Sequence, residues 1–193
     1  PERLLVDDIQ DMARSASILS LIGSGCHRMT EIAGRLGMPA TSLSRPLARL
    51  LDLGLVARTV PFGRTVRDSK RTLYRLCDPF LAFWYRFVEP NRSRLAAGQL
   101  AEVAREVQEL WPQFLGGAWE QMARDSVARL VIGKRRWRPA TRWWGSASDR
   151  QAIELDVVAE DVDDRTNVLV GEAKLAATAG EVKGIVERLA RDA

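Results

Sequence analysis

The first part of the chain alternates between apolar helical faces and short breaks that contain glycine. Apolar residues recur every three or four positions between residues 4 and 22, which predicts a first helix. A second, very short helix is predicted from an N-cap at Thr30 to a C-terminal Gly37. A third is predicted to begin near Ser44, because Pro46 is tolerated only in a first turn.

Two short apolar runs follow, at residues 55–60 and 72–76, and a basic loop separates them. Runs of this length bounded by turn residues predict two strands. The loop carries four basic residues, namely Arg64, Arg67, Lys70 and Arg71. Helix, short helix, turn, helix and basic hairpin is the order typical of a winged helix-turn-helix.

This order predicts a DNA-binding surface. We expect the third helix to enter a major groove with Ser42, Ser44, Arg45 and Arg49 outward, while the four basic residues of the loop meet phosphate. An alternative for Ser42 and Ser44 is simple helix capping, which uses the same hydroxyl chemistry. For the motif as a whole, the alternative is a protein-interaction module, because many folds of this kind bind proteins.

An aromatic segment at residues 78–88 places most of its rings at helical spacing, which favours a core or interface role over a base-stacking platform. Residues 89–91 should stop that helix, helical periodicity resumes at Leu95, and Trp111-Pro112 should interrupt it again. The predicted organisation is an N-terminal domain over residues 1–90, a helical linker over 91–112 and a C-terminal domain over 113–193.

The C-terminal domain combines one helix with two strands that carry acidic residues. A helix over residues 113–131 contains Glu120, and strands are predicted over residues 153–160 and 167–175. The turn-forming residues between the strands predict a hairpin in which Glu160 pairs with Val168. That register puts Asp156 directly opposite Glu172, and Lys174 on the same face as Glu172.

Two carboxylates this close repel each other unless a cation lies between them. Mg²⁺ prefers oxygen ligands, keeps several waters and lowers the pKa of a bound water, so that the water can attack a phosphodiester. Lys174 could orient that water or stabilise the developing negative charge. The alternative for Glu172 and Lys174 is a surface ion pair on a strand.

The charge distribution agrees with a nucleic-acid partner. The chain has 193 residues and a formal net charge of +4, and residues 28–75 hold ten basic residues but only three acidic ones. Two cysteines and one histidine cannot supply a four-ligand Cys/His zinc site, so any metal would be held by carboxylates. We find no apolar run long enough to span a membrane and no signal peptide, and expect a cytoplasmic protein.

Asp156, the run VLVGEAK with Glu172 and Lys174, and a preceding helix with Glu120 resemble the core of the PD-(D/E)xK nuclease-like superfamily. LYRLCDPFLAFWYRFVEPNR, FLGGAWEQMARD, WWG, ELDVV and VGEAKL are similar to the C-terminal half of archaeal-type AAA+ ATPases that carry such a domain. The resemblance implies that Glu120, Asp156, Glu172 and Lys174 are catalytic, that Asp156 and Glu172 bind Mg²⁺ or Mn²⁺, and that an ATPase module or subunit is a partner.

The chain departs from that family in three respects. It has no G-x-x-x-x-G-K-[ST] phosphate-binding loop, so we expect no ATP hydrolysis from this chain alone. It also ends before the last strand expected of a nuclease-like core, which suggests a fragment or a truncated family member, and Leu175 stands where the family often has tryptophan. A helix is predicted over residues 180–192.

We therefore predict an α+β protein with an N-terminal winged helix-turn-helix, a helical bridge and a C-terminal restriction-endonuclease-like α/β core. The leading functional hypothesis is a DNA-binding protein with a Mg²⁺-dependent or Mn²⁺-dependent phosphodiester-hydrolysing domain. The alternative is a non-catalytic DNA-binding or protein-interaction module. Basic residues in the stretch 134–142 suit either hypothesis, because they could line a DNA cleft or form a solvated hairpin.

Overall fold

The computed structural model describes residues 2–65, 71–146 and 152–192, and it describes their side chains except those of residues 2–11, 146, 191 and 192. The chain divides into two compact units. The first comprises Pro1–Thr59 and Val66–Val107, and the second comprises Val60–Thr65 and Gln108–Ala193. The division after Val107 falls inside the range predicted as a linker. Helices and small antiparallel sheets both occur, which confirms the α+β class.

Three helices open the first unit, as the apolar spacing predicts: α1 (Glu2–Gly23), α2 (Met29–Leu36) and α3 (Ser44–Asp52), with a 3₁₀ turn at Ala40–Leu43 before α3. Gly37 ends α2 in the left-handed conformation, with φ of 64°. The predicted N-cap at Thr30 is wrong. Arg28 is the N-cap, because its extended backbone places its N–H 3.1 Å from Oε2 of Glu31, which accepts the hydrogen bond.

A two-stranded antiparallel hairpin follows, formed by β1 (Val56–Thr59) and β2 (Leu73–Leu76). Both strands lie inside the runs that predict them. The backbone of β2 is also held on its other side, because Tyr74 donates its N–H to the carbonyl of His27 at 2.8 Å. Nδ1 of the His27 ring lies 2.9 Å from the Tyr74 carbonyl oxygen. The single histidine thus ties the hairpin to the segment before α2.

The core of the first unit lies where α1, α2, α3 and the hairpin meet. Its buried residues are Ile18, Leu19, Ile22, Ile32, Ala33, Leu43, Leu47, Leu50, Val56 and Tyr74. Burial of apolar surface is the main favourable term in folding, so this cluster fixes the orientation of α3 against its neighbours. The face of α3 opposite the core is thereby left to solvent.

The aromatic segment forms a short helix, α4 (Pro79–Phe83), continued by a π-helical turn (Trp84–Val88) and a 3₁₀ turn (Glu89–Asn91). Phe87 is buried, and Tyr85 packs against the core of the first unit. The core interpretation is therefore correct for these two rings. Phe80 differs, because 64% of it is exposed. A short helix, α5 (Arg92–Ala96), comes next.

Gly23 allows α1 to lie directly against the π-helical turn. A Cβ atom built at Gly23 would stand 2.4 Å from Cβ of Tyr85, which is closer than carbon atoms can approach without displacement. The contact partner is the first atom of a side chain, fixed to the backbone. Gly34 in the middle of α2 is a useful contrast, because a Cβ there meets nothing within 4 Å.

We predict opposite stability effects for alanine at these two glycines. Gly23→Ala should lower the free energy of unfolding by about 1–3 kcal/mol, the usual cost of overpacking. Gly34→Ala should raise it by about 0.5–1 kcal/mol, because alanine loses less backbone entropy in a helix. Urea titration followed by circular dichroism measures both, and equal effects of the two substitutions would contradict the close packing of α1 on the π-helical turn.

The longest helix, α6, runs from Leu100 to Val127 and contains Pro112. The predicted interruption at Trp111-Pro112 is therefore wrong. Leu95 is helical, as predicted, but it lies in α5, and the helix that continues to Val127 begins at Leu100. A proline inside a helix removes one backbone hydrogen bond, but its φ is compatible with helical geometry, so the helix can continue at a cost. Gly98, with φ of 79°, is the actual break before α6.

In its described residues, the second unit contains two small sheets and a last helix. The strands are β3 (Val131–Ile132), β4 (Arg135–Arg136), β5 (Thr141–Ser146), β6 (Ala152–Glu160) and β7 (Val168–Gly171), and the helix is α7 (Ala179–Asp192). Strands β3 and β4 form a hairpin, and β5, β6 and β7 form an antiparallel sheet with β6 in the centre. Five consecutive residues of β6 are buried, so both of its faces are covered in that stretch.

Four buried residues form the core of this unit: Val127, Trp137, Val157 and Ala159. The C-terminal end of α6 thus packs on the central strand. Trp137 is oriented by a hydrogen bond from its indole Nε1 to the carbonyl of Ile132 at 3.1 Å. Within the described residues, no helix is both long and apolar enough to cross a membrane.

Candidate functional site

The register of β6 and β7 places Asp156 next to the segment that contains Glu172. The strands pair from Glu160 with Val168 to Val157 with Gly171, which confirms the predicted register. Asp156 is one residue beyond the last pair. Its Oδ2 accepts a hydrogen bond from the backbone N–H of Ala173 at 2.9 Å. Asp156 therefore lies against the backbone between Glu172 and Lys174.

Strand β7 is shorter than predicted, and this hydrogen bond lies just beyond its end. The sequence predicts a strand through Leu175, but the strand ends at Gly171, and residues 172–174 have no regular structure. The Asp156 carboxylate accepts the N–H of Ala173, so just beyond the last residue pair the two segments are joined through a side chain.

Glu172 is paired with two cations. Nζ of Lys174 lies 2.8 Å from its Oε1, and Nη2 of Arg188 lies 2.9 Å from its Oε2. The Glu172 side chain is only 9% exposed, whereas about half of each cation is exposed. Lys174 is on the same side as Glu172, as predicted. Arg188, which α7 contributes, is a site residue that the sequence analysis missed.

Glu120 approaches Asp156 from α6 and is accompanied by a buried arginine. Nη1 of Arg124 donates a hydrogen bond to the backbone carbonyl of Asp156 at 2.8 Å, and it lies 3.7 Å from Oε2 of Glu120. The Arg124 side chain is 9% exposed. Arg124 was not predicted as a site residue, although Glu120 and Arg124 are four residues apart on a helix, a spacing that pairs opposite charges.

The electrostatics of these side chains are coupled. Burial raises the pKa of Glu120, the charge of Asp156 raises it further, and Arg142, Arg124 and Lys174 oppose the shift. The hydrogen bond and the charge of Glu172 raise the pKa of Lys174. Lys174 therefore keeps its proton at neutral pH, so it can offer positive charge but cannot act as a base.

The site offers oxygen ligands, but few of them. Within the three described ranges, no group of three or more His, Cys, Asp or Glu side chains is arranged to hold a metal ion. Mg²⁺ does not need such a group, because it is commonly bound through one or two carboxylates and several waters. Asp156 and Glu172 are therefore a chemically suitable pair, although both oxygens of Glu172 have cationic partners.

The family comparison concerns the part of the chain that contains these residues. The model of the DUF234 family, described as archaeal and bacterial proteins of unknown function, matches residues 84–185, just over half of the chain. The chain belongs to the DUF234 family. The matched range includes Glu120, Asp156, Glu172 and Lys174, but it ends before Arg188 and begins after α3.

Two further comparisons extend over more of the chain. An uncharacterized protein of Methanocaldococcus jannaschii, MJECL04, is 25% identical over 170 residues, which are 86% of this chain and 37% of that protein. The DUF234 chain described here thus spans well under half the length of this relative. A mutant of Lactococcus lactis ZitR in its apo form matches 63% of this chain and 90% of its own, with 18% identity and a TM-score of 0.34. A score of this size does not establish a shared fold.

The structure places only some of the predicted nucleic-acid-binding residues close to one another. Ser42, Ser44, Arg45 and Arg49 are all exposed at α3 and its preceding turn, while Pro46, Leu47 and Leu50 are buried behind them. The N-cap of α3 is Leu43, which is not a serine, so the capping alternative fails at this helix. Arg64 and Arg71 are exposed but belong to the second and first unit respectively. Arg67 and Lys70 lie outside the described residues.

The basic stretch before β6 is engaged mostly with carboxylates. Arg135 pairs with the buried Asp161 at 2.6 Å, and Arg142 pairs with Glu154 and lies over the Trp144 ring at 5.4 Å from its centroid. These contacts favour a structural role for Arg135. Arg142 also acts on the charge of Glu120, so it belongs to the electrostatic surroundings of the carboxylates.

The raised pKa of Glu120 leads to a testable prediction about how stability depends on pH. Because the pKa is higher in the folded state than in the unfolded state, ionising Glu120 opposes folding, and stability is lost as pH rises through the folded-state pKa. Glu120→Gln should therefore raise the melting temperature at about pH 8 and lose that advantage at about pH 4, near the ordinary pKa of glutamate.

Differential scanning calorimetry of the wild type and the variant at both pH values measures this difference. Glu109→Gln is the matched control, because Glu109 is an exposed glutamate on the same helix. A gain of equal size at both pH values would show that the effect does not come from ionisation of Glu120.

Proposed function

We propose that this protein binds DNA through α3, as a winged helix-turn-helix, and that its second unit is a nuclease-like domain that hydrolyses phosphodiester bonds with Mg²⁺ or Mn²⁺. The observation that carries the nuclease part is the hydrogen bond from Ala173 to Asp156, because it brings an acid from β6 next to Glu172 and Lys174. The restriction-endonuclease-like fold and the association with an ATPase module rest on the sequence resemblance.

The DNA-binding part is supported by the division of α3 into two faces. Its buried face anchors the helix in the core, and its exposed face presents two arginines and a serine. Arginine suits both phosphate oxygens and guanine edges, and a helix fixed by a core can keep such side chains in register with a groove. The basic excess in residues 28–75 favours the approach of a polyanion.

In the nuclease-like site, Asp156 and Glu172 would hold the divalent cation. The bound ion would supply Lewis acidity and a water molecule of lowered pKa. Lys174, which stays protonated, would stabilise negative charge on the phosphate in the transition state. Glu120 would assist by accepting a proton or by orienting water, because burial and the charge of Asp156 raise its pKa above the ordinary value of a glutamate.

The second candidate is a non-catalytic module that binds DNA or a protein, such as an ATPase subunit. The double pairing of Glu172 favours it, because Lys174 and Arg188 already neutralise a carboxylate that a nuclease would use for metal. In this candidate the carboxylates and cations form a structural network that joins β6, β7 and α7. Metal binding and cleavage assays separate it from the nuclease proposal.

The DNA-binding proposal predicts a defined salt dependence. Arg45→Ala and Arg49→Ala should each weaken binding to a short labelled duplex, and each should reduce the slope of log affinity against log salt by about 1 if the lost contact is to phosphate. Fluorescence anisotropy measures both quantities. Arg92→Ala is the matched control, since Arg92 is an exposed arginine of the same unit outside α3. A loss for Arg92→Ala equal to the losses for the α3 variants would contradict a role specific to α3.

The nuclease proposal predicts that Mn²⁺ supports nicking of supercoiled plasmid by the wild-type chain. Asp156→Asn and Lys174→Ala should each reduce the rate by at least about 100-fold, as expected when a charge that stabilises the transition state is removed. Lys183→Ala should cleave like the wild type, because Lys183 is 80% exposed on α7 and pairs only weakly with Glu187. Plasmid left intact by the wild type, or cleaved equally by all variants, would support the non-catalytic candidate.

A further inference from the structure

Arg188 contacts the carboxylate of Glu172, which we propose as a metal ligand. Its Nη2 lies 2.9 Å from Oε2 of Glu172, while Lys174 takes the other oxygen of the same carboxylate. A carboxylate oxygen that receives a guanidinium at this distance is engaged in a strong, charge-assisted contact. Glu172 is only 9% exposed, so few waters compete for it.

The two cations differ in where they come from. Lys174 is two residues from Glu172 and stays close to it irrespective of the position of α7. Arg188, in contrast, contacts Glu172 from the third turn of α7. The Arg188 contact therefore depends on the position of that helix. Lys174 alone balances the charge of Glu172, and Arg188 adds a second positive charge at the proposed metal ligand.

Space for Arg188 to leave Glu172 is present. A cavity of about 370 Å³ is lined by Lys174, Ala176, Gly184, Ile185 and Arg188, among others. The Arg188 side chain is 47% exposed, so its guanidinium can move into the cavity and solvent without unfolding α7. Glu181, which also lines this cavity, has its carboxylate held by the backbone N–H and hydroxyl of Thr178.

We propose that Arg188 is a built-in counter-ion that competes with a divalent cation for Glu172, so that the position of α7 controls metal binding at the proposed site. This inference rests on the proposed nuclease function. The competition is electrostatic, because the guanidinium and a metal ion at contact distance from the same carboxylate repel each other. Arg188 acts through Glu172 and is therefore a positioning residue.

The test is calorimetric titration of the full 193-residue chain with Mn²⁺ alone. Arg188→Ala should bind Mn²⁺ about 1.5- to 5-fold more tightly than the wild type, the range that loss of a partly exposed ion pair spans. Arg188→Gln should behave similarly, because it removes the charge but keeps a polar side chain, and it replaces the alanine variant if that variant does not fold. Circular dichroism checks folding.

Lys183→Ala is the control, because it removes one positive charge from the same helix without touching Glu172. It should leave Mn²⁺ affinity close to that of the wild type. Affinity that is unchanged or weaker in both Arg188 variants would overturn the proposal while leaving the metal site of the wild type intact. The proposal would also be overturned if Lys183→Ala tightened Mn²⁺ binding as much as the Arg188 variants do, because the change in net charge would then explain the gain in affinity.

Loss of binding in Glu172→Gln tests the proposed function separately. If neither the wild type nor the Arg188 variants bind Mn²⁺, the proposed metal site and the competition both fail. If only the Arg188 variants bind Mn²⁺, the competition is supported, and the wild-type chain by itself is held in the metal-free state. Binding by the wild type that persists in Glu172→Gln would remove Glu172 from the site and overturn both proposals.

Discussion

A single hydrogen bond, from the Ala173 N–H to the Asp156 carboxylate, fixes the arrangement on which the second unit's chemistry depends. It lies where the β6–β7 ladder ends, at Val157 and Gly171. Beyond that point residues 172–174 have no regular structure, and Glu172 contacts Arg188 of α7.

The carboxylates around this hydrogen bond are stabilised in different ways. Arg124 is buried beneath Glu120 and Asp156 and donates to a backbone carbonyl, so its position is set by α6 and β6 together. Glu172 depends on exposed cations instead. A buried charge that loses its partner is costly, whereas an exposed one is easily rehydrated. The Arg124 contacts are therefore the rigid part of the site. Glu172 is itself only 9% exposed, so its exposed cations can be exchanged for another cation but are costly to lose outright.

The sequence predicted the parts of the structure that depend on local periodicity. Side-chain alternation and the turn between the strands were enough to set the register that places Asp156 beside Glu172, and apolar spacing separated the two faces of α3. The sequence could not predict the contact between Arg188 and Glu172, because this contact depends on how α7 packs, and no local pattern encodes the packing of a helix. The helix interruption predicted at Pro112 was wrong for a related reason. A proline lowers the stability of a helix, but the other residues of α6 decide whether the helix ends there.

The chemistry of the two cations also limits how Glu172 could be released. An arginine side chain does not lose its proton in proteins, and the pKa of Lys174 is raised by Glu172 itself, so neither cation is neutralised as pH rises moderately above neutrality. A pH change in that range therefore leaves both pairs intact. In that range another cation that competes for the carboxylate, an anion such as a phosphodiester that competes for Arg188, or movement of α7 would weaken the contacts. Above neutrality, therefore, loss of a proton from Lys174 or Arg188 is not what would release Glu172.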